Sequence, residues 1–371
     1  MGQGALIGIV VTILLIICGF FLRRNPLLLC IQVAWILILA IYNTDSMDFK
    51  GNSELYYLSN SNSLFSDHFF GSAFYFFSTI AKRTGMDYLT FNGILVIIST
   101  IIILYVVIRL SSNPCLVISF FMCYPLVSSI IQKRWYFAMG ILIIGVFSLF
   151  SNKNKVEKTI ILLGCVTFAC MFHAGAVYFY TLAIYYWIPD KYKRMVSIIG
   201  FVVLTLGKNN VASLLSSSTN SDLSSKSDFY LGTLASDNLG HYLFWILWQL
   251  LFVCIILYLI NKNKILENSG SNYSNTLWII NWWSILIIPL YSFDPVFTRL
   301  FRVVLLFDYI AISNLFIIKN YKIGKINLYS NIYQFGLCIA TFFIFNALAG
   351  APIDELVYPI FENNVVLNML N

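Results

Sequence analysis

The chain has 371 residues, of which 59% are hydrophobic, 17% aromatic and 11% charged. Soluble proteins average about 25% charged residues, so this composition excludes a fold with a fully aqueous surface and predicts an integral membrane protein. The formal net charge is +7. The segments between the apolar runs contain no long basic stretch, which argues against nucleic acid as a partner.

Twelve apolar runs predict twelve transmembrane helices in a single integral membrane domain over residues 1–371, because a bilayer span needs about 20 apolar residues. The runs lie at 4–22, 27–42, 88–108, 114–131, 135–150, 159–172, 174–189, 195–207, 239–260, 276–292, 297–318 and 328–348. The first has no basic residue before it and Arg23-Arg24 after it, which indicates an uncleaved helix with its N-terminus outside.

The distribution of charge supports this orientation. Threading the chain from an outer N-terminus places 14 of the 23 basic residues in cytoplasmic loops, with a net charge of +11 there and −4 elsewhere. Both termini are then outside. A single tilted pass over 159–189 would fit locally but would invert every later loop, so we predict two short helices that meet at His173-Ala174-Gly175.

Three segments outside the spans fall on the predicted outer face: 43–87, 208–238 and the tail 349–371. The first contains five acids, and its stretch Phe69 to Ala81 predicts a short aromatic helix at the membrane interface. The second is rich in Ser and Asn, a composition typical of a mobile loop or lid.

Basic residues on the predicted outer side are the first candidates for a site. Lys133 and Arg134 lie in a tight connection between two helices, and Arg299 and Arg302 are spaced i, i+3 on one helix face. A guanidinium in apolar surroundings generally has a partner or lines a wet cavity, and its planar fork suits phosphate. Arg134, Arg299 and Arg302, with Lys133 nearby, therefore predict a pyrophosphate clamp. The alternative is that these are interfacial arginines that snorkel toward water.

Other polar residues could complete the chemistry. His173 lies at the tip of the short hairpin, where it could transfer a proton or bind phosphate, although a membrane histidine commonly serves helix packing. Asp45 and Asp48 open the first outer loop and could deprotonate or align a sugar hydroxyl; surface solvation is the alternative. Asp308 lies near the predicted bilayer midplane and should be paired or face the bundle interior.

Several absences limit the chemistry. No DxD, HExxH, GxGxxG or Walker motif occurs, so nucleotide-sugar, metalloprotease, dinucleotide and ATPase functions lack support. The eight cysteines fall in apolar runs without CxxC spacing, which predicts buried side chains rather than disulfides or zinc ligands. We expect no metal and no cofactor.

Short motifs follow one another along the predicted outer face in a distinctive order: Asn43-Thr44-Asp45 with Tyr56-Tyr57; His68-Phe69-Phe70-Gly71-Ser72-Ala73-Phe74-Tyr75; Gly85-Met86-Asp87-Tyr88; Gln132-Lys133-Arg134; Phe172-His173-Ala174-Gly175-Ala176; and Phe297-Thr298-Arg299-Leu300-Phe301-Arg302. This order, over most of the chain, resembles the EpsG family of bacterial exopolysaccharide and O-antigen polymerases, the Wzy-type repeat-unit polymerases. It departs from the commoner family pattern at Gly71, where the aromatic segment lacks a proline.

The resemblance implies a multi-span glycosyltransferase of the GT-C kind that acts without metal at the outer face of the bacterial cytoplasmic membrane. The donor would be a growing glycan on undecaprenyl pyrophosphate, and the acceptor one repeat unit on the same carrier. A chain-length regulator protein would be a further partner. The arginines would then stabilise the departing pyrophosphate, His173 would position acceptor or phosphate, and Asp45 or Asp48 would be the base.

Two other classes remain open. A flippase for the same lipid-linked oligosaccharide would also have about twelve helices, but it should carry basic residues deep in several of them, whereas these lie near the outer face. A ligase or membrane acyltransferase would share the histidine and arginine chemistry.

Overall fold

The computed structural model describes residues 2–46, 48–59, 69–207, 239–261, 266–314 and 357–370. Within these ranges the regular structure is helical, apart from one isolated antiparallel β-bridge that joins Asn43 to Asn364. The all-α prediction is confirmed for this part of the chain.

The α-helices are α1 (Gln3–Phe21), α2 (Pro26–Ile41), α3 (Phe49–Leu58), α4 (Ser72–Arg83), α5 (Tyr88–Leu110), α6 (Pro114–Cys123), α7 (Leu126–Ile131), α8 (Lys133–Leu149), α9 (Lys155–Cys170), α10 (Tyr180–Trp187), α11 (Asp190–Leu206), α12 (Leu239–Asn261), α13 (Leu266–Ser284), α14 (Thr298–Asn314), α15 (Tyr358–Glu362) and α16 (Val365–Asn368). Segments of 3₁₀-helix occupy Ala174–Phe179, Ile285–Ser292 and Pro295–Phe297.

Three of the described helices are long and apolar enough to cross a membrane: α1, α5 and the part of α12 over Tyr242–Asn261. The 23 residues of α5 span about 35 Å, which exceeds the roughly 30 Å hydrocarbon core. Large apolar side chains remain exposed on these helices, among them Leu14 and Ile101. An apolar surface of this kind suits lipid, so the chain is a helical membrane protein; the count of twelve spans stays a prediction.

The chain divides into two compact units. The first takes in Met1–Ser148, Gly164–Ala176 and Tyr309–Asn371, and the second Leu149–Leu163 and Val177–Asp308. The single integral membrane domain predicted over 1–371 stays a prediction.

In the first unit α1 packs closely on α6, because small residues line its inner face. A Cβ atom built on Gly19 would lie 2.0 Å from Ser119 Oγ, so no larger residue fits at this crossing. The buried Gln32 side chain of α2 donates through Nε2 to Leu15 O at 3.1 Å, Cys115 O at 3.3 Å and Ser119 Oγ at 3.1 Å. One amide thus joins α1, α2 and α6.

The C-terminal tail, residues 357–370, packs on the rest of the first unit. Helices α15 and α16 pack on α1, and the backbone of Asn363 and Val365 pairs with that of Thr44 and Tyr42. The described part of the predicted outer segment 349–371 is therefore docked on helices rather than extended into solvent. The predicted loop 208–238 lies outside the described residues.

In the second unit α12 and α11 pack against the 3₁₀ segment Ile285–Ser292. Gln249 Nε2 donates to Ser284 O at 2.7 Å, and the Tyr291 hydroxyl donates to Gln249 Oε1. These buried bonds satisfy polar groups where helix α13 ends and the tighter helix begins.

Several predicted boundaries differ from the structure. The single helix predicted over 114–131 is two helices, α6 and α7, because Pro125 has no N–H to continue the helical hydrogen-bond ladder. The run 276–292 likewise changes from α-helix to 3₁₀-helix after Ser284. In the segment 43–87 the predicted aromatic helix is present as α4, and α3 is an additional helix that hydropathy did not predict.

Candidate functional site

The first unit places Lys133 and Arg134 at the start of α8. Lys133 is 3% exposed; its Nζ donates to Asn43 O at 2.8 Å and lies 5.1 Å from the centre of the Phe49 ring. Its contacts are therefore with protein, at the loop that follows α2. Arg134 is only half-buried and leaves the helix in a different direction.

Arg134 lies against an aromatic floor. Its Nη2 donates to Phe172 O at 3.4 Å, and the guanidinium carbon lies 5.1 Å from the centre of the Phe74 ring. The aromatic face and the carbonyl hold one side of the planar group. A guanidinium carries its N–H donors in one plane, a geometry that suits a phosphate or carboxylate.

His173 follows the carbonyl that Arg134 contacts, so the structure brings these two predicted residues together. Helix α9 ends at Cys170 and a 3₁₀ segment begins at Ala174, which confirms the predicted break. The backbone N–H of Gly175 donates to His173 Nδ1 at 3.0 Å, and the imidazole packs edge-on against Trp135 with ring centres 5.2 Å apart. In the neutral imidazole an accepting Nδ1 leaves the proton on Nε2, so this nitrogen is a potential donor to a ligand.

The start of α4 completes this region. Gly71 precedes the helix with φ +88°, a conformation that L side chains rarely adopt. A Cβ built on it would lie 3.9 Å from Arg134 Nη2 and 3.5 Å from the Tyr75 ring. The Ala73 N–H donates to Met171 O at 3.0 Å and fixes α4 on the turn that carries His173. The N-terminal end of α4 carries partial positive charge, which adds to that of Arg134.

The two candidate bases lie at the surface. Asp45 is exposed and pairs with exposed Lys50, with Oδ1 and Nζ 3.5 Å apart. Asp48 is exposed and precedes α3 without capping it through its side chain. An exposed ion pair such as that of Asp45 contributes little to stability. The role of Asp45 or Asp48 as base stays a prediction.

A neighbouring tyrosine makes a hydrogen bond within the same segment, 43–87. The buried Tyr56 hydroxyl donates to Met86 O at 2.7 Å, and this burial raises the pKa of Tyr56 above its ordinary value. Tyr56 therefore stays neutral at physiological pH and ties α3 to the turn before α5.

The second unit holds the other two predicted arginines. Arg299 and Arg302 are buried, 7% and 5% exposed, in the first two turns of α14. The turn before this helix is fixed by Asp294, whose Oδ1 accepts the Val296 N–H at 2.6 Å. Their helical spacing is confirmed, and a clamp made of all three arginines stays a prediction.

Asp308 is fully buried in the second unit, as expected for a charged residue in a membrane helix. Its Oδ1 accepts a hydrogen bond from Asn281 Nδ2 at 2.8 Å, so α13 supplies the partner. Asn281 was not identified from the sequence, although a polar residue in the middle of an apolar run was the available signal.

Other residues were also missed. The Phe172 carbonyl and the Phe74 ring position Arg134, and Asn43 binds Lys133 through its backbone. The motif segments around Gly71 and Asn43 pointed to these regions. The individual acceptors could not be predicted, because every residue has a backbone carbonyl whatever its side chain.

Residues 26–358 match the model of one protein family throughout. The chain belongs to the EpsG family. This family is associated with polysaccharide polymerase-like proteins, and together with the apolar helices it establishes a membrane protein with a polysaccharide polymerase-like function. Comparisons with curated proteins and with solved structures found no match.

The EpsG match starts at the first residue of α2 and ends at the first residue of α15. It therefore includes every candidate residue: Asp45, Asp48, Lys133, Arg134, His173, Arg299 and Arg302. Helix α1 and the tail after Tyr358 lie outside the matched range.

Proposed function

We propose that this EpsG family member is a metal-independent glycosyltransferase that polymerises undecaprenyl-pyrophosphate-linked oligosaccharide repeat units into O-antigen, capsular or exopolysaccharide. The observation that carries the proposal is the hydrogen bond from Arg134 to the backbone carbonyl of Phe172, which directly precedes His173, beside the start of α4. A fixed guanidinium, an imidazole N–H and a helix N-terminus together favour a phosphate group.

The reaction is one displacement at the anomeric carbon of the donor glycan. The acceptor hydroxyl oxygen forms the new bond, the bond from that carbon to the pyrophosphate oxygen breaks, and the hydroxyl proton passes to a base, Asp45 or Asp48. Undecaprenyl pyrophosphate leaves with the electron pair. Because charge grows on the leaving group in the transition state, preorganised arginines lower the barrier without a metal.

Each substrate of such a polymerase carries a pyrophosphate. We assign Arg134 and His173 of the first unit to phosphate binding, and Arg299 and Arg302 of the second unit to the same chemistry. The i, i+3 spacing of Arg299 and Arg302 allows both guanidinium groups to address one anion.

The location proposed is the cytoplasmic membrane of a bacterium, with the chemistry on its outer face and about twelve spans in a GT-C-like arrangement. The charge distribution supports this orientation, because the basic loops gather on one side. A chain-length regulator is the proposed protein partner. The family assignment does not favour a flippase.

Glycan profiling of a gene deletion separates the proposed function from its main alternative. Loss of a polymerase leaves surface lipid capped by a single repeat unit, whereas loss of a flippase leaves no repeat unit at all. Wild-type ladders in the deletion strain would contradict both functions.

Variants test the site itself. Arg134→Ala should abolish polymer formation while the protein still accumulates in the membrane. Arg83→Ala is the matched control, since Arg83 is exposed at the other end of α4.

Arg302→Ala should also abolish polymerisation. Arg302→Lys keeps the charge of this buried residue but loses the two-pronged hydrogen-bonding fork, so polymerisation should fall in this variant as well. Normal chain lengths in Arg134→Ala or in both Arg302 variants would contradict the assignment.

A further inference from the structure

Lys133 differs from the other candidate cations in the contacts that its ammonium group makes. The residue is 3% exposed, and its ammonium donates to the backbone carbonyl of Asn43, 90 residues earlier. The aromatic face of Phe49 covers the same ammonium at 5.1 Å. Both of these contacts of the ammonium are therefore with the protein, although Lys133 precedes Arg134 directly in the sequence.

Asn43 is itself held by the C-terminal tail. Its side-chain Nδ2 donates to Pro359 O at 3.1 Å and to Ile360 O at 3.4 Å, and its backbone forms the isolated bridge with Asn364. Asn364 in turn donates through Nδ2 to Ile38 O at 3.0 Å, in the last turn of α2. Asn43 is fully buried, so these bonds are shielded from water.

The neighbouring residues strengthen the same junction. Thr44 donates to Asn363 O twice, from its backbone N–H and from Oγ1, each at 3.2 Å. The Val365 N–H donates to Tyr42 O at 3.0 Å. These hydrogen bonds hold the short segment from Tyr42 to Thr44 against the tail.

We propose that Lys133 and Asn43 are positioning residues through which the C-terminal tail sets the place of Arg134. The tail holds Asn43, the Asn43 carbonyl holds the Lys133 ammonium, and this bond fixes the first turn of α8, from which Arg134 projects toward Phe172. The proposal rests on the proposed function for the meaning of Arg134, and it replaces direct phosphate binding by Lys133 with an indirect role.

Two substitutions separate the links of this chain. Lys133→Met keeps the length of the side chain but removes the donor. Asn43→Ala keeps the backbone carbonyl that Lys133 uses but removes the side-chain donors to Pro359 and Ile360. Each should lower kcat for polymerisation of a lipid-linked repeat unit by on the order of 10-fold to 100-fold with little change in KM, because displacement of a charge-stabilising group by about 1 Å costs this much.

The double variant gives the sharpest kinetic outcome. If both residues act through one connection, Asn43→Ala adds little to Lys133→Met, whereas independent roles multiply the two losses. A raised KM for the lipid-linked donor in Lys133→Met, with Asn43→Ala unaffected, would mean that Lys133 binds phosphate and would overturn the proposal. Asn368→Ala, at an exposed position in α16 of the same tail, is the control and should behave as wild type.

A second measurement does not depend on polymerase activity. In the full-length protein in lipid nanodiscs, Asn43→Ala should speed amide hydrogen exchange both in residues 357–370 and in the first turn of α8. Faster exchange in the tail with unchanged exchange at residues 133–137 would overturn the proposal, even if the polymerase function holds. Conversely, if Arg134→Ala leaves polymerisation intact, the proposed function of the site fails while the exchange experiment still decides the positioning role.

Should Asn43→Ala fail to accumulate, Thr44→Val provides a milder break in the same junction. It removes only the Oγ1 bond to Asn363 and preserves the shape of the side chain. A faster exchange of both segments is again the supporting result, and a change confined to the tail is the contrary one.

Discussion

His173 shows how one residue can combine a structural and a chemical role. Its Nδ1 accepts the Gly175 N–H and so stabilises the turn between α9 and the 3₁₀ segment, and the neutral ring then carries its proton on Nε2. The two roles fall on different ring nitrogens. Substitution can therefore separate them.

We predict that His173→Asn retains the fold and loses activity. An asparagine Oδ1 can take the place of Nδ1 as acceptor for Gly175, but nothing replaces Nε2. Polymer formation should fall by about 100-fold or more, the contribution typical of a positioned proton-transfer or hydrogen-bonding group. Thermal unfolding in detergent should change little. Full activity in His173→Asn would assign the residue to helix packing alone.

For single residues, the charge pattern of the sequence pointed to Arg134 and the predicted hairpin tip pointed to His173, but neither signal predicted the partners that hold them. Arg134 was recognisable because a basic residue on the predicted outer side departs from the positive-inside bias. Lys133 had the same signature, yet its ammonium is enclosed by Asn43 and Phe49. Adjacent helical residues point about 100° apart, so sequence proximity does not imply a shared role.

Among the helices, α5 has a clear start signal. Asp87 precedes it, and Asp87 Oδ1 accepts the Thr90 N–H at 2.9 Å. The hydrogen bonds from Thr90 lower the pKa of this exposed carboxyl below its ordinary value. This is a capping interaction, because the carboxylate satisfies an N–H that has no partner within the helix.

We predict that Asp87→Ala destabilises the protein by about 1 kcal/mol, whereas Asp87→Asn, which keeps the oxygen, costs less. A lowered pKa in the folded state means that the carboxylate contributes stability above the unfolded value of about 3.9 and loses it as the pH falls through the folded value. Unfolding in detergent between about pH 3 and pH 7 should show this acid-side loss in the wild type and its absence in Asp87→Asn. Equal acid sensitivity of the two proteins would contradict the prediction.

The crossing of α1, α2 and α6 depends on one glycine and one amide. We predict that Gly19→Ala destabilises the bundle, since the added methyl would lie 2.0 Å from Ser119 Oγ and 2.7 Å from Cys115 O. Gly164→Ala is the matched control, because no atom lies within 4 Å of the corresponding position; it should be neutral or stabilising by about 0.5–1 kcal/mol.

Gln32→Leu tests the polar part of this crossing. It should cost roughly 1–2 kcal/mol, since hydrogen bonds between membrane helices contribute about 0.6 kcal/mol each on average. Thermal unfolding in a mild detergent measures both effects. Stability equal to wild type in Gly19→Ala and in Gln32→Leu would mean that the close crossing does not form.

The pattern of apolar residues predicted most helices but not their interruptions. Hydropathy alone continues through Pro125, where the helix ends, because side-chain polarity does not report the missing N–H. Helix α3 was not predicted because its composition is polar, and it is held by aromatic contacts of Tyr56 with Tyr88 and Phe91. Tertiary packing thus created a helix where the local sequence gives a weak signal.

For the whole molecule, orientation is the property that the charge distribution predicts. We predict that an epitope inserted after Lys153 is reached by antibody only when the membrane is permeabilised. An epitope inserted after Gly85, an exposed turn glycine with no atom near its side-chain position, should be reached from outside. The opposite accessibility would reverse the proposed topology and move the Arg134 region to the cytoplasmic side.

The sequence by itself determined that this is a helical membrane protein of the EpsG type, because apolar length, scarce charge and motif order are properties of the linear chain. Only the tertiary structure decided which candidate residues meet. Arg134 lies with His173, while Lys133 joins Asn43 and, through it, the C-terminal tail. These contacts link positions from 38 to more than 300 residues apart through backbone carbonyls, which every residue possesses, so no sequence pattern distinguishes them.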